Sequence, residues 1–303
     1  TCDDAALFHS SSSALAFSPT VPTVLHGKGV TIHPTSQTFP AFSFPANEIA
    51  ITLEQVHVDA GAALGLASNH ALVLDRVYFH GMQSGTFASV LYCTSAGVTI
   101  KGSTFVGGGF GSLFGDACGA VIENSTVAGL VVRNASVFDV RSSTITGTTL
   151  VNQAEDTLKA NDSIFEGNVV RQQAAGAVFT STGGNVIRSI GGGVIYTAGP
   201  RDQQGTVGLA PLTAYVPGSV PTRPLAPCSR GINAGAPGAG AGVDQAGNAR
   251  FQNGARDAGA VESALLPCVT LPPALSVAED ASALTVTVTL GGASSLPVTV
   301  NVG

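Results

Sequence analysis

A column of mostly ionisable side chains recurs at one position of a repeat in the middle of this chain. It consists of Glu54, Asp75, Lys101, Glu123, Arg141 and Asn161. Cleavage of a glycosidic bond uses a pair of carboxyl groups, or a carboxyl group beside a lysine or arginine. Lys101, Glu123 and Arg141 are therefore candidate catalytic residues. The competing interpretation, which we favour, is a solvent-exposed ladder of alternating charge in which each ion pair contributes at most about 1 kcal/mol.

The repeat that spaces these residues has the form apolar-x-apolar-x-x-Ser-x-apolar-x-Gly. It reads VTIKGSTFVG, AVIENSTVAG, FDVRSSTITG and LKANDSIFEG, and looser copies begin at Ile51 and Leu72. Apolar and other residues alternate within each copy, and a period of two predicts β-strands rather than helices. Repeats of about 20 residues that each hold two short strands predict an all-β solenoid whose stacked turns share one continuous core.

The other columns of the repeat have distinct expected roles. The serine column consists of Ser103, Ser125, Ser143 and Ser163. It falls beside inward apolar positions, so we expect these serines to face the interior and to bond to the serine one turn away. Pairs such as Lys101-Gly102 and Glu123-Asn124 predict a left-handed corner between the two strands.

Threonines and histidines near these strands are predicted to face solvent. Thr104, Thr126 and Thr144 form a short outward file, which ordinary β-propensity explains. His57 and His80 fall close to the charged column, where they could join Asp75, but a surface histidine is the simpler interpretation.

Composition excludes several functional classes. Only 11% of the residues are charged and the net charge is −6, so the chain lacks the basic surface of a nucleic-acid-binding protein. No apolar run reaches the length of a membrane span. There is no tryptophan, which argues against an aromatic platform for sugars.

The five cysteines, at positions 2, 93, 118, 228 and 268, show no CxxC spacing, so a zinc site is not expected. Cys93 and Cys118 lie about one turn apart, and Cys228 and Cys268 bracket one segment. We predict these two disulfides, with Cys2 left single, in an extracellular setting. Buried free thiols are the alternative.

The segment after the repeats contains GLAPL, then PTRPLAPCSRGINAG, then VDQAGNARFQNGARDAGAVE. With the repeats, it resembles secreted bacterial right-handed parallel β-helix proteins of the choice-of-anchor type, related to polymorphic outer-membrane repeat proteins. An SPAIDAG-like stretch, a DQRGxxR stretch and a D-x-GAxE ending characterise that family. The matching residues are 229–235, 244–247 with Arg250, and 257–262, and Ala246 stands where the family has arginine. The resemblance implies a right-handed parallel β-helix at the cell surface or outside the cell, and no particular chemistry.

Ionisable residues are dense in this segment of an otherwise charge-poor chain. They are Asp244, Arg250, Arg256, Asp257 and Glu262. One interpretation is a site for calcium or another ligand. The other, which we favour, is an ion-pair network that closes the C-terminal end of the stack.

The last 35 residues, 269–303, change character. Their alternating apolar residues, Leu284, Val286, Val288 and Leu290, then Val298, Val300 and Val302, predict a β-hairpin. The stretch LSVAED resembles the opening strand of a Calx-β domain, and that resemblance makes Glu279 and Asp280 candidate calcium ligands. No other cofactor is expected. The apolar face of the hairpin must be buried, either by the rest of such a domain or by another copy of the chain, joined head to tail into a filament.

We therefore predict a cap at residues 1–21, parallel β-helix turns at 22–205, a closing segment at 206–268 and a partial Calx-β-like domain at 269–303. The leading functional hypothesis is a non-enzymatic, secreted or cell-surface protein with a structural or adhesive role. Its expected partners are copies of itself or cell-surface glycans and proteins. The alternative is a polysaccharide lyase or hydrolase.

Overall fold

The computed structural model describes most of the chain between residues 21 and 264. The described residues are 8–10, 15–16, 21–27, 31–34, 42–44, 50–59, 66–68, 71–80, 91–94, 97–107, 113–170, 176–214, 218–237, 242–252, 254–264, 268–270 and 289–290. Within these ranges the chain is all-β and contains no helix. In this described part, accordingly, no helix is long and apolar enough to span a membrane.

Six consecutive turns of a parallel solenoid each contribute three strands. The turns are β3 (Thr23–His26), β4 (Thr31–Pro34) and β5 (Phe42–Phe44); β6 (Ile51–Glu54), β7 (His57–Asp59) and β8 (Leu66–Ser68); β9 (Leu72–Asp75), β10 (Tyr78–His80) and β11 (Leu91–Thr94); β12 (Gly97–Lys101), β13 (Thr104–Phe105) and β14 (Leu113–Asp116); β15 (Gly119–Glu123), β16 (Thr126–Val127) and β17 (Leu130–Arg133); β18 (Val137–Arg141), β19 (Thr144–Ile145) and β20 (Thr149–Val151). Before them, β1 (Phe8–Ser10) pairs with β4 and β2 (Leu15–Ala16) pairs with β5. These two strands extend the stack into the segment predicted as an N-terminal cap.

Each of the remaining three turns contributes two strands instead of three. They comprise β21 (Thr157–Asn161) with β22 (Ile164–Val170), β23 (Ala177–Gly183) with β24 (Val186–Ile190), and β25 (Val194–Thr197) with β26 (Gln203–Gln204). Strand β22 pairs with both β19 and β20, so the corner between the second and third strands of a turn straightens there. The repeat pattern loosens beyond Gly167, at the same place.

Parallel pairing sorts the strands into two sheets. The first strands of all turns form a nine-stranded sheet in the order β3-β6-β9-β12-β15-β18-β21-β23-β25, which we call the open sheet. The second and third strands belong to one 17-stranded sheet, in which the second strands stack as one column and the third strands as another. The predicted register holds, because Ile100 lies opposite Ile122 and Ile122 lies opposite Val140.

The core is one continuous cluster of stacked apolar side chains. Its largest members are Phe79, Phe105, Phe138, Phe165 and Phe179, each fully buried. The rings of Phe79 and Phe105 stack in neighbouring turns with centroids 5.3 Å apart. Burial of each such side chain contributes about 1.5–3 kcal/mol, so the repeated core columns supply most of the driving force for folding.

The serine column forms a hydrogen-bonded ladder inside the corner. Ser103, Ser125, Ser143 and Ser163 are all fully buried, which confirms the inward prediction. The hydroxyl of Ser125 accepts the backbone N–H of Ser103 at 3.1 Å and donates to the Glu123 carbonyl at 2.7 Å. The serine one turn away therefore supplies a partner for each hydroxyl, as predicted, and that partner is its backbone N–H group. Further along, Asn185 and Asp202 take the place of serine.

The corner residues adopt the predicted left-handed conformation in successive turns. Their φ angles are 54° at Gln55, 53° at Arg76, 52° at Gly102, 49° at Asn124, 44° at Ser142 and 47° at Asp162. The glycines that end two of the repeats, Gly147 and Gly167, have a different role, because stacked backbones approach closely there. A Cβ atom added at Gly147 would lie 1.7 Å from the Ala128 carbonyl oxygen, so this turn admits only glycine.

Both predicted disulfides are present, Cys93–Cys118 and Cys228–Cys268. Disulfides persist in oxidising compartments, so the two disulfides indicate an oxidising environment for this chain. Cys2 lies outside the described residues.

Little of the C-terminal segment falls in the described part. Strand β27 (Val269–Thr270) pairs antiparallel with β28 (Thr289–Leu290), and Val269 lies opposite Leu290. The other positions of the predicted hairpin and calcium site lie outside the described residues. These are Glu279, Asp280, Leu284, Val286, Val288, Val298, Val300 and Val302.

Candidate functional site

The described residues between 207 and 262, which are 207–214, 218–237, 242–252 and 254–262, lie along one side of the solenoid, and we call them the strap. The hydroxyl of Thr104 donates to the Pro221 carbonyl at 2.5 Å, and the backbone N–H of Ala260 donates to the hydroxyl of Thr144 at 2.9 Å. The strap therefore crosses the outer face of the second-strand column. We expected this segment at the C-terminal end of the stack, and its contacts with Thr104 and Thr144 place it beside earlier turns instead.

The strap lies over an outward-pointing file of side chains, among them the three threonines and His57 that we expected to face solvent. The file and its exposed fractions are His57 (9%), Tyr78 (7%), Thr104 (0%), Thr126 (1%), Thr144 (1%) and Ile164 (0%). The threonines do point away from the solenoid core, but strap atoms cover them. His57 is also not a surface residue: its Nδ1 atom lies 2.9 Å from the Thr31 hydroxyl and its ring stacks on Tyr78. His80 is exposed, as expected, and lies 3.5 Å from Asp59.

A second apolar cluster holds the strap against the last turns. Its members are Ile164 and Val186 of the solenoid with Val207, Leu225, Ile232, Ala234 and Ala258 of the strap. Gly259 has a φ of +100°, and a Cβ atom there would lie 2.6 Å from the Cδ1 atom of Ile164. The glycine of the D-x-GAxE ending is thus required both by its backbone conformation and by the close approach of the strap.

Arg250 joins the strap to the solenoid through a buried guanidinium group. Only 5% of the residue is exposed. Its Nε and Nη2 atoms donate to the Asn124 side chain and Nη2 also reaches the Ser142 carbonyl at 2.9 Å, both on the solenoid. On the strap it donates to the carbonyls of Gly259 at 2.8 Å and Ala260 at 3.1 Å. Burial lowers the pKa of Arg250, and the neighbouring acidic residues oppose this effect.

Two carboxyl groups lie beside this arginine and are almost fully buried. The backbone N–H of Asp257 donates to both carboxyl oxygens of Glu262 at 3.2 Å, and Arg250 Nη1 lies 4.0 Å from Glu262 Oε2. Burial, with the neighbouring Asp257 carboxylate, raises the pKa of Glu262 to about 8. Burial likewise raises the pKa of Asp257 to about 6. Burial therefore outweighs the attraction of Arg250, and both carboxyl groups have raised pKa values.

The other acidic residues of the cluster bond to backbone amides and arginine. Asp244 accepts the backbone N–H groups of Asn248 at 2.7 Å and Glu262 at 2.6 Å. Asp162, on the solenoid, accepts the backbone N–H of Ala236 and pairs with Arg256. Within the described part of the chain, no group of three or more His, Cys, Asp or Glu side chains is arranged to hold a metal ion. The cluster is a hydrogen-bonded ion-pair network that fixes the strap to the side of the stack.

A groove of about 620 Å³ separates the strap from the corner of the turns formed by β9, β12 and β15. The solenoid wall is formed by Asp75, Arg76, Lys101, Gly102 and Asn124. The strap wall is formed by Gly218, Ser219, Val220, Thr222 and residues 243–247. A separate, smaller pocket in the preceding turn is lined by His57 and Tyr78 and shares Arg76, Gly218 and Ser219 with the groove. Residues of successive turns line one wall, so the groove runs parallel to the solenoid axis.

The structure only partly brings the candidate catalytic residues together. Lys101 lies opposite Glu123, and Glu123 lies opposite Arg141, as the register predicted. Lys101 lines the groove, but Glu123 and Arg141 are not part of its walls. Arg141 instead binds the adjacent Asp139, its Nε atom lying 3.1 Å from Oδ2, and this hydrogen bond raises the pKa of Arg141. The three residues thus form a surface charge ladder and do not converge on one cavity.

The strap wall of the groove was not expected from the sequence. Gln245 of this wall is fixed to the solenoid, because its side-chain amide donates to the Ser103 carbonyl at 2.9 Å and to the Thr104 hydroxyl. A signal for this contact does exist in the sequence. The covered file carries Thr, Tyr, His and Ile. The column of ionisable side chains that begins at Glu54, which also points outward, instead carries Glu, Asp, Lys, Arg and Asn.

Comparison of the chain with protein-family models, with curated proteins and with solved structures found no match in any of the three. The structure alone defines the class of protein. It is a disulfide-bonded parallel β-solenoid of about six three-stranded turns, with a strap along its side.

Proposed function

We propose that this protein is a non-enzymatic, structural or adhesive component of the cell surface or the secreted matrix. Its partners would be surface glycans or proteins, or further copies of the chain. The proposal includes the choice-of-anchor type of right-handed β-helix, for which the strap residues that match the family pattern are the support. Asp244, Arg250, Asp257 and Glu262 are all members of that pattern, and all of them fix the strap.

The uninterrupted open sheet is the observation that carries this proposal. Its nine strands are parallel and in register over most of their length, so its outer side extends for roughly 38 Å at the usual strand spacing. The outward side chains along it remain exposed or half-buried, among them Val24, Thr99, Val137 and Lys159. The opposite second-strand column is covered by the strap. Disulfides and a buried ion-pair network make this scaffold durable outside the cell.

Self-assembly is the second part of the proposal and concerns the C-terminal segment. The sequence predicts a hairpin with one apolar face in this segment, and such a hairpin is marginally stable alone and gains stability when another copy covers that face. Contact of this kind is heterologous, so it would build a filament rather than a closed ring. Sedimentation of the full chain should then show polymers at high concentration, and deletion of residues 272–303 should leave monomers. A monomeric full chain, or equal assembly by the shortened chain, would contradict this part.

Adhesion is tested with the full chain immobilised on beads. We expect the beads to retain cell-wall polysaccharide while the polysaccharide keeps its length on size-exclusion chromatography. Beads carrying the reduced and unfolded chain are the matched control. Shortening of the polysaccharide would instead support a lyase or hydrolase, and failure to retain any glycan, protein or cell surface would refute the adhesive role.

A further inference from the structure

We propose that the N-terminal turns bind a divalent transition-metal ion, such as Zn²⁺, through His33, Asp59 and His80. The site lies outside the groove and the strap network, and it does not depend on the proposed adhesive role. The feature that carries it is one aspartate with a histidine on either side, on three consecutive second strands of the solenoid, β4, β7 and β10.

Strand register places the three residues side by side. His80 of β10 lies opposite Asp59 of β7. In the pairing of β4 with β7, Ile32 lies opposite Val58, so the next residue, His33, falls level with Asp59. Residues that are level in neighbouring strands lie about 4.8 Å apart and belong to the same face of a sheet. His33 is placed by this backbone register alone, because its side chain lies outside the described part of the chain.

The spacing of the two described ligand atoms already suits a metal ion. Nδ1 of His80 lies 3.5 Å from Oδ1 of Asp59. Two ligand atoms that each bind a tetrahedral zinc ion at about 2.0–2.2 Å lie about 3.3–3.6 Å apart. Both atoms can therefore enter one coordination shell with little rearrangement. His33, on the other side of Asp59, is placed to supply a third ligand, and water would complete the shell.

The two described side chains are accessible and are carried by fixed strands. The exposed fraction of the side chain is 51% for His80 and 37% for Asp59. Two residues earlier on the same strands, His57 and Tyr78 are buried in the file beneath the strap. Strand β7 pairs with β4 on one side and with β10 on the other. Ligands on paired strands are held in position before the ion arrives, and the exposure of the site gives the ion a path to it.

The histidines of this column are a local feature and not part of the repeat. The chain has six histidines, and three of them share the column, because His9 lies opposite His33 in the preceding strand. In the turn after His80 the register reaches Val106 instead. His9 is two strand spacings from Asp59, about 9.6 Å, and is too distant to join the same shell. Imidazole and carboxylate ligands together suit zinc, copper and nickel, whereas calcium and magnesium prefer oxygen ligands.

Calorimetry of the full chain, prepared without a histidine tag, tests the site with zinc chloride and calcium chloride as separate probes. We expect one zinc ion per chain to bind tightly and calcium to bind much more weakly. His33→Ala, Asp59→Asn and His80→Ala should each weaken zinc binding by at least about tenfold, since loss of a residue that only orients a ligand already costs about 10–100-fold. His26→Ala is the matched control, because His26 is an exposed histidine that pairs with Glu54 on the open sheet; it should bind zinc as the wild type does.

Nuclear magnetic resonance of the imidazole rings separates coordination from altered folding. One equivalent of zinc should shift the ring signals of His33 and His80 in the wild type and leave those of His26 unchanged, and it should raise the melting temperature. Absence of zinc binding, calcium binding as tight as that of zinc, an equal loss in His26→Ala, or ring shifts confined to other histidines would overturn the site. None of these outcomes bears on the adhesive role, which the bead assay tests separately.

Discussion

Replacement of Arg250 by alanine should release the strap from the solenoid while the stacked turns remain folded. Among the described residues, Arg250 is the one side chain that donates both to the solenoid, at Asn124 and Ser142, and to the strap, at Gly259 and Ala260. The core of the turns does not depend on it, because the apolar columns pack among themselves.

The expected magnitude follows from the groups that the variant leaves behind. The carbonyls of Ser142 and Gly259 lose their buried donor, at a cost of about 1–3 kcal/mol per unsatisfied group, whereas the Ala260 carbonyl keeps the backbone N–H of Gln245. Water that enters the vacated volume recovers part of this. Removal of one partner from a buried charge network typically costs about 3–5 kcal/mol, and we expect the free energy of strap closure to fall by that amount.

Hydrogen exchange measured by mass spectrometry separates strap opening from global unfolding. A loss of 3–5 kcal/mol predicts that amides in residues 242–252 exchange roughly a hundredfold faster or more, while amides of the open sheet keep their protection. Arg141→Ala is the control, since Arg141 is an exposed arginine bound only to Asp139 among the described residues. If Arg250→Ala exchanges no faster than Arg141→Ala, the strap is not held in the way that the hydrogen bonds indicate.

Two further predictions concern the buried polar groups. The pKa values of Glu262 and Asp257 are raised in the folded chain, to about 8 and about 6, so folding binds protons and the free energy of unfolding should fall as pH rises from about 4.5 to about 8. Glu262→Gln should flatten this dependence in urea titrations, and an unchanged slope would contradict the assignment. Ser143→Ala leaves the backbone N–H of Ser125 without its acceptor and should cost about 1–3 kcal/mol in chemical denaturation, whereas Thr99→Ala on the open sheet should cost well under 1 kcal/mol; equal costs would mean that the ladder adds nothing.

The repeats allowed the solenoid to be predicted in some detail. The inward columns and the buried serines follow from the two-residue period, because a slip of one residue would turn every apolar side chain to solvent. The left-handed corners follow from the glycine and asparagine residues at the bend between the two strands. The two disulfides followed from spacing, since Cys93 and Cys118 lie about one turn apart. Asn185 and Asp202 continue the serine ladder but were missed, because an amide or carboxylate can accept the same backbone N–H without preserving the motif.

The position of the strap could not be read from local pattern. Its residues have no period, and contacts such as Arg250 with Asn124 and Ala260 with Thr144 join positions more than 100 residues apart. Thr126 was expected to be outward and exposed, and the first half of that expectation is correct. Strand alternation gives the direction of a side chain, but only tertiary structure decides whether another segment covers it.

Thiol labelling of single cysteine variants tests the lateral strap most directly. Thr126→Cys and Lys159→Cys both point outward from the solenoid, one beneath the strap and one on the open sheet. With Cys2 replaced by serine and the labelled site located by mass spectrometry, Lys159→Cys should react as fast as a free thiol. Thr126→Cys should react at least about a hundredfold more slowly, and at the same rate as Lys159→Cys once the protein is denatured. Equal rates in the native protein would contradict a strap that covers this face of the solenoid.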